Sequence, residues 1–216
     1  MNGLLEFLKN HTEAGTLAQW FGAIATVAAV LVALFKEVII NWLSQPVLKL
    51  HFDNTPNCVT KSFRVNTVEV YFLRIATTNI KAKLAKSCRA YLVSIERFGA
   101  SGKWESTTYC EILQLGWVGA EANKFSAVDI PRGVSFFFDV LSTYANSDKF
   151  QIRTEVTLNR VQSLVAEHGR YRFTVVVTGD GVKEARANFT FDWTGQWDRF
   201  NVNGQPPPPQ ALIAQA

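Results

Sequence analysis

Side chains that usually carry chemistry are scarce in this sequence. It has three histidines and three cysteines. Cys58, Cys88 and Cys110 are odd in number and share no Cys-x-x-Cys or Cys/His spacing, which argues against a complete disulfide framework and a zinc site and fits a reducing compartment. There is no Gly-x-Ser-x-Gly elbow and no His-Glu-x-x-His pair, so the common nucleophile and metalloprotease signatures are missing. Ser101-Gly102-Lys103 has the ending of a phosphate-binding loop, but Arg97 stands where the first glycine belongs and Trp104 where a magnesium-binding Ser or Thr belongs. The carboxylates Glu105, Glu111 and Asp139 have no spacing that pairs them for acid/base work, and solvated strand faces account for them. The expectation is a protein that is not an enzyme, with no cofactor and no metal.

A charge excess is also lacking. The net charge is +4, the pI is near 9.0, and the charges are scattered, so charge alone does not indicate nucleic-acid binding and is compatible with a weak preference for acidic lipid surfaces; no nucleic-acid partner is expected. A cleaved secretory signal does not fit either. Lys9 is the only basic residue ahead of the apolar run, the run is too long, and Phe35, Lys36 and Glu37 occupy the place of a small-residue cleavage site.

What is present is one long apolar run. Residues 17–35, LAQWFGAIATVAAVLVALF, carry no charge, and Gln19 and Thr26 are their main polar side chains. At about 1.5 Å per residue this run crosses nearly all of a ~30 Å hydrocarbon layer, so it reads as a membrane-spanning helix. Trp20 and Trp42 fall about 33 Å apart on one continuous helix, the separation of two aromatic interface anchors. Gly15 and Thr16 supply a break and a cap before the span, Lys36 can snorkel, and Pro46 ends the helix. Lys9 alone precedes the span, whereas Lys36, Lys49, Lys61 and Arg64 follow it, which predicts a cytoplasmic domain by the positive-inside rule. Ala18, Gly22, Ala25, Ala29 and Ala33 recur along one helical stripe. Small residues so arranged let helix backbones approach, and the expectation is a homo-oligomer with Thr26 adding a hydrogen bond.

Beyond Pro46 the periodicity becomes that of strands. The sequence predicts them at 47–52, at 68–77 (apolar on both faces near its centre), at 88–97, and irregularly over 104–115. In 88–97, Tyr91, Val93 and Ile95 take one face and Cys88, Ala90 and Leu92 the other. Residues 116–125 read as loop, 128–130 as a strand entering a Pro131-Arg132-Gly133 turn, and 150–158 as a half-buried strand. The hairpin is clearest. Tyr171, Phe173, Val175 and Val177 alternate with polar residues, Asp180-Gly181 supplies a two-residue turn, and Ala185, Ala187, Phe189, Phe191 and Trp193 face inward on the return. Residues 160–167 are a short helical possibility. Lys81, Lys83, Lys86 and Arg89 lie within nine residues with no acidic neighbour in sequence, a candidate contact for an anionic ligand or lipid headgroups, each lysine being worth about 1 kcal/mol near a membrane. Lysine protection of an exposed edge is the alternative.

These elements divide the chain into a short interfacial segment (1–15), a transmembrane helix with its extension (16–45), an antiparallel β-sandwich (46–194) and a disordered Pro-rich tail (195–216) with Pro206 to Pro209. HGRYRFTVVVTGDG resembles the penultimate-strand motif of immunoglobulin-like domains, and the resemblance implies a corner hydrogen bond for Tyr171. The antibody cysteine pair and core tryptophan do not match. The helix, proline and sandwich, with residues 72–79 and 168–171, also resemble uncharacterised bacterial single-pass membrane proteins, which implies a bacterial inner-membrane location and no stated activity. Two functions follow as expectations. One is a membrane-anchored module that recognises a protein partner at the lipid bilayer; the other is a ligand-gated membrane effector of a defence or stress system sensing a small anionic molecule.

Overall fold

The computed structural model describes residues 14–63, 68–109, 111–119, 124–156 and 167–204. The expected interfacial foot, Arg64, Cys110, the helical possibility over 160–166 and the prolines of the tail lie outside them. The chain divides into two compact units, Met1–Ser44 and Gln45–Ala216.

The first unit is helix α1, Ala14–Ser44. Its segment Gln19–Val38 is long and apolar enough to cross a membrane, and none of it is buried within the protein. The helix stops at Ser44 because a proline disfavours helical geometry in the residue before it. Its start differs from expectation. Gly15 and Thr16 lie inside α1 rather than breaking and capping it. The Thr26 hydroxyl donates to the Gly22 carbonyl at 2.8 Å, which leaves its oxygen as an acceptor.

The second unit is an antiparallel sheet. Its strands are β1 (Leu48–His51), β2 (Val59–Phe63), β3 (Glu69–Asn79), β4 (Ala85–Phe98), β5 (Trp104–Ser106) and β6 (Leu113–Trp117). There follow β7 (Val128–Ile130), β8 (Ser135–Tyr144), β9 (Phe150–Ile152), β10 (Gly169–Asp180), β11 (Ala185–Gln196) and β12 (Arg199–Val202). The order is β1-β3-β8-β6-β4-β10-β11-β12, with β2 on β3, β5 and β7 on β4, and β9 on β8. β6 is the joint: Leu113 to Leu115 pair with β4, and Gly116 and Trp117 pair with β8. The strands therefore form one sheet curled into a half-barrel. Its curl stacks Phe52, just after β1, on Phe189 of β11 (5.5 Å between ring centres) and sets Tyr71 of β3 edge-on to Phe200 of β12 (5.4 Å).

The inward faces make an aromatic core. Phe150 meets Tyr171, Phe191 and Trp193 edge-on, and Phe189 stacks on Phe173 at 5.1 Å. Tyr171, Phe173, Val175, Phe189 and Phe191 are all buried as the alternation predicts. The Tyr171 hydroxyl donates to the Glu167 carbonyl at 2.8 Å, four residues upstream, which is the expected corner hydrogen bond.

Several boundaries move. A bulge at Val93, where β10 passes from Leu92↔Val175 to Ser94↔Thr174, turns Ile95 to the face of Leu92 and away from that of Val93. Gly116 and Trp117 are strand, not loop, and Trp117 is buried. The strand expected over 150–158 ends at Ile152, and Val156 is exposed. The sheet runs past the expected limit at 194, because β11 continues to Gln196 and β12 buries Phe200 and Val202. The hairpin turn is longer than two residues: Ala185 pairs with Val177, the Val182 amide donates to the Gly179 carbonyl, and only Gly181 has positive φ (63°). A type I′ turn needs positive φ at both central residues, so Asp180-Gly181 sits in a different turn.

Candidate functional site

One end of the sheet gathers the chain entry at Pro46 and Val47, the β3–β4 loop, the β7–β8 turn and the β10–β11 turn. The Ile80 amide donates to the Val47 carbonyl (3.0 Å), the Gly133 amide to the Asn79 carbonyl (2.8 Å), and the Lys183 amide to the Pro46 carbonyl (3.4 Å). These segments meet because β3 and β10 end here while β1, β4, β8 and β11 begin here.

Asn79 organises the end. It is buried, and its amide group donates to the carbonyls of Lys83 (2.7 Å) and Ile130 (3.1 Å) while its oxygen accepts the Lys81 amide (3.1 Å). A buried amide with its donors and acceptor engaged fixes a loop that has no regular structure of its own. Lys81 and Lys83 thereby stand on a clamped loop and are exposed.

Lys86 and Arg89 come from β4, where strand alternation alone would put Lys86 on the side of buried Cys88. Ser87 prevents this. It adopts φ 52° and its amide donates to the Asp129 carboxylate at 2.9 Å. The pairing with β7 and with β10 shifts register there, so Lys86 and Arg89 both face solvent while Cys88 faces the core. Gly179 is required opposite: a Cβ there would lie 2.6 Å from the Lys86 carbonyl oxygen and 3.0 Å from the Cys88 sulfur.

The structure thus brings Lys81, Lys83, Lys86 and Arg89 to one end, and it corrects their isolation from acids. Asp129 approaches through Ser87, and Asp180 sits opposite Lys86 across the β4–β10 pair. None of the four cations forms an ion pair with a described residue, whereas several on other strands do. Lys61 pairs with Glu69, Arg74 with Asp139, Arg170 with Asp192 and Arg172 with Glu96, at 2.6 to 2.9 Å. Arg132 of the β7–β8 turn and Lys183 of the β10–β11 turn add exposed positive charge to the same end. Sequence reasoning missed these two and Asn79; an asparagine closing an apolar strand before Ile-Lys-Ala-Lys was the available signal of a side-chain-to-backbone turn.

The two described cysteines are buried. Burial pushes the Cys88 thiol up to about 11, with Asp129 and Asp180 adding to the shift, and burial also raises Cys58. Both remain thiols at neutral pH. Among the described residues no three His, Cys, Asp or Glu side chains gather as a metal site. On the helix, Gly22, Ala25, Ala29 and Ala33 are exposed on α1, and the side chain of Ala18 lies outside the described residues.

No protein-family model and no curated protein matches the chain. Among solved structures it is similar to the X-ray structure of Northeast Structural Genomics Consortium target SoR45, at 11% identity and a TM-score of 0.30, over 78% of this chain and 95% of that one. It is also similar to a Bacteroides uniformis beta-glucuronidase, at 14% identity and a TM-score of 0.29 over 73% of this chain, and spans 16% of that enzyme's length. Likeness at these scores carries no argument about activity.

Proposed function

We propose that the chain is a single-pass membrane protein of the bacterial inner membrane whose cytoplasmic β-domain binds a protein partner. The observation that carries this reading is the exposed apolar segment Gln19–Val38 of α1, followed in the chain by a sheet with its own aromatic core. An apolar helix of that length has no stable place in water, and a bilayer satisfies it. The basic residues that follow the span favour the cytoplasmic side. We read the domain as a relative of immunoglobulin-like sandwiches on the Tyr171 corner bond, and binding rather than catalysis as its role. The small-residue stripe of α1 supports self-association, which would raise avidity for the partner.

Alkaline washing of membranes from cells expressing the full chain is expected to leave it in the pellet. A C-terminal alkaline-phosphatase fusion is expected to be inactive in a bacterial host. Extraction by alkali would remove the anchor from this reading, and an active fusion would reverse the orientation. The cluster of cations at one end of the sheet, which form no ion pair among the described residues, favours a second reading, an effector gated by a small anion. A nucleotide-binding screen run beside a detergent pull-down separates the two.

A further inference from the structure

The basic end of the sheet also carries apolar side chains that have no place in a merely solvated loop. Ile80 is 51% exposed, Leu84 37% and Val134 45%. Ile80 and Leu84 flank Lys81 and Lys83 on the loop that Asn79 clamps, and Val134 follows Arg132 and Gly133 in the adjoining turn. We infer that this end is a membrane-docking surface, in which Ile80, Leu84 and Val134 enter the headgroup region of an anionic bilayer while Lys81, Lys83 and Lys86 meet its phosphates.

Three observations select a bilayer as the occupant. Charge is complementary: among the described residues Lys81, Lys83 and Lys86 form no ion pair, while Lys61, Arg74, Arg170 and Arg172 on other strands are paired with carboxylates. Apolar and basic side chains interleave, the composition that binds an interface by apolar insertion together with attraction to acidic lipid. The chain also enters the sheet at this end, since Pro46 and Val47 are hydrogen-bonded to Lys183 and Ile80, and Pro46 follows the last helical residue, Ser44, by two positions. This inference rests on the reading of α1 as a membrane span, which holds the docking surface at high local concentration of lipid. Asp129 and Asp180 limit the attraction, so docking is sensitive to ionic strength.

The test uses the full chain reconstituted into vesicles of phosphatidylcholine, alone or mixed with phosphatidylglycerol. In a Cys110→Ser background, a polarity-sensitive probe is attached at Ile80→Cys, at Leu84→Cys or, as a control in the β4–β5 turn, at Ser101→Cys. The expected result is a blue-shifted, brighter probe at positions 80 and 84 only in the anionic vesicles, lost in high salt, with no change at 101. Combining Lys81→Gln, Lys83→Gln and Lys86→Gln is expected to lower the docked-to-undocked ratio about a hundredfold. Identical signals in neutral and anionic vesicles would overturn the inference. So would loss of the signal to free inorganic phosphate but not to chloride of equal ionic strength, which assigns the end to a soluble anion. Alkaline extraction of the same vesicles separates the two failures: a retained chain with silent probes refutes docking alone, and an extracted chain refutes the span as well.

Discussion

Substituting Asn79 tests whether one buried amide holds the basic end together. Replacement by Ala removes two donated hydrogen bonds and one accepted bond, and leaves the Ile130 carbonyl, on a buried residue, without that donor. At about 0.5 to 1.5 kcal/mol for each of the three bonds the loss comes to about 1.5 to 4.5 kcal/mol, and the penalty for a buried group left unpaired adds to it. Asn79→Asp discriminates more finely. It keeps the size and the oxygen that accepts the Lys81 amide, but it turns a donor toward the carbonyls of Lys83 and Ile130 into a charged acceptor. At neutral pH it should cost at least as much as Asn79→Ala. Its new carboxyl, facing carbonyl oxygens, has a folded pKa raised above the unfolded value of about 3.9. The charge-related cost is therefore absent below the unfolded pKa and grows as pH rises through the window up to the folded pKa. Urea denaturation of the detergent-solubilised chain, followed by the fluorescence of buried Trp117 and Trp193, should show midpoints lowered by about 1 M or more. Equal stability of the parent and Asn79→Asp at neutral pH would refute the assignment of the amide as donor.

Phe189→Ala opens the stack between Phe52 and Phe173 and is expected to cost about 3 to 5 kcal/mol in the same assay. Tyr171→Phe removes the corner bond to the Glu167 carbonyl and should cost about 0.5 to 1.5 kcal/mol; no measurable change would make the corner decorative. The Arg172 hydrogen bond holds the Glu96 carboxyl below its ordinary value, so its contribution is present above the unfolded pKa of about 4.3 and is lost as pH falls through the folded one. Glu96→Gln should accordingly flatten the acid limb of the stability profile while leaving the alkaline limb unchanged. Substituting Ile for both Gly22 and Ala29 should weaken self-association in a transmembrane reporter assay; an unchanged signal with loss on altering the Leu31 side would move the interface.

The parts of the fold readable in the sequence are those governed by a single period. The apolar run of α1 and the alternation of β10 and β11 needed no tertiary information, because uniform composition marks the first and one core face decides the residues of the others. Where two partners compete for a strand the alternation fails. β4 is paired on one side by β10 and on the other by β5, β6 and β7. Its bulges at Ser87 and Val93 let one strand serve both sides, and each reverses the parity from which a face is read. β12 was hidden for another reason. Arg199-Phe200-Asn201-Val202 is too short to show a pattern beside Asn203-Gly204, and it becomes strand because Phe191 and Trp193 offer it a register and a buried face.

The candidate site divides along the same line. Lys81, Lys83, Lys86 and Arg89 were readable as a cluster because they are close in sequence. Their setting was not, since Arg132 and Lys183 arrive from distant turns, and so do the acids that temper them. Sequence parity even assigns Lys86 to the side of Cys88. The left-handed Ser87, held by Asp129 from β7, re-aims it outward. Asp129 therefore has two opposed effects: it lowers the positive potential of the end, and it sets the backbone that exposes one of the lysines. A carboxylate retained in the middle of a basic surface is explained by the second effect. A net charge calculated from the loop alone counts only the first, and so misjudges what this end presents.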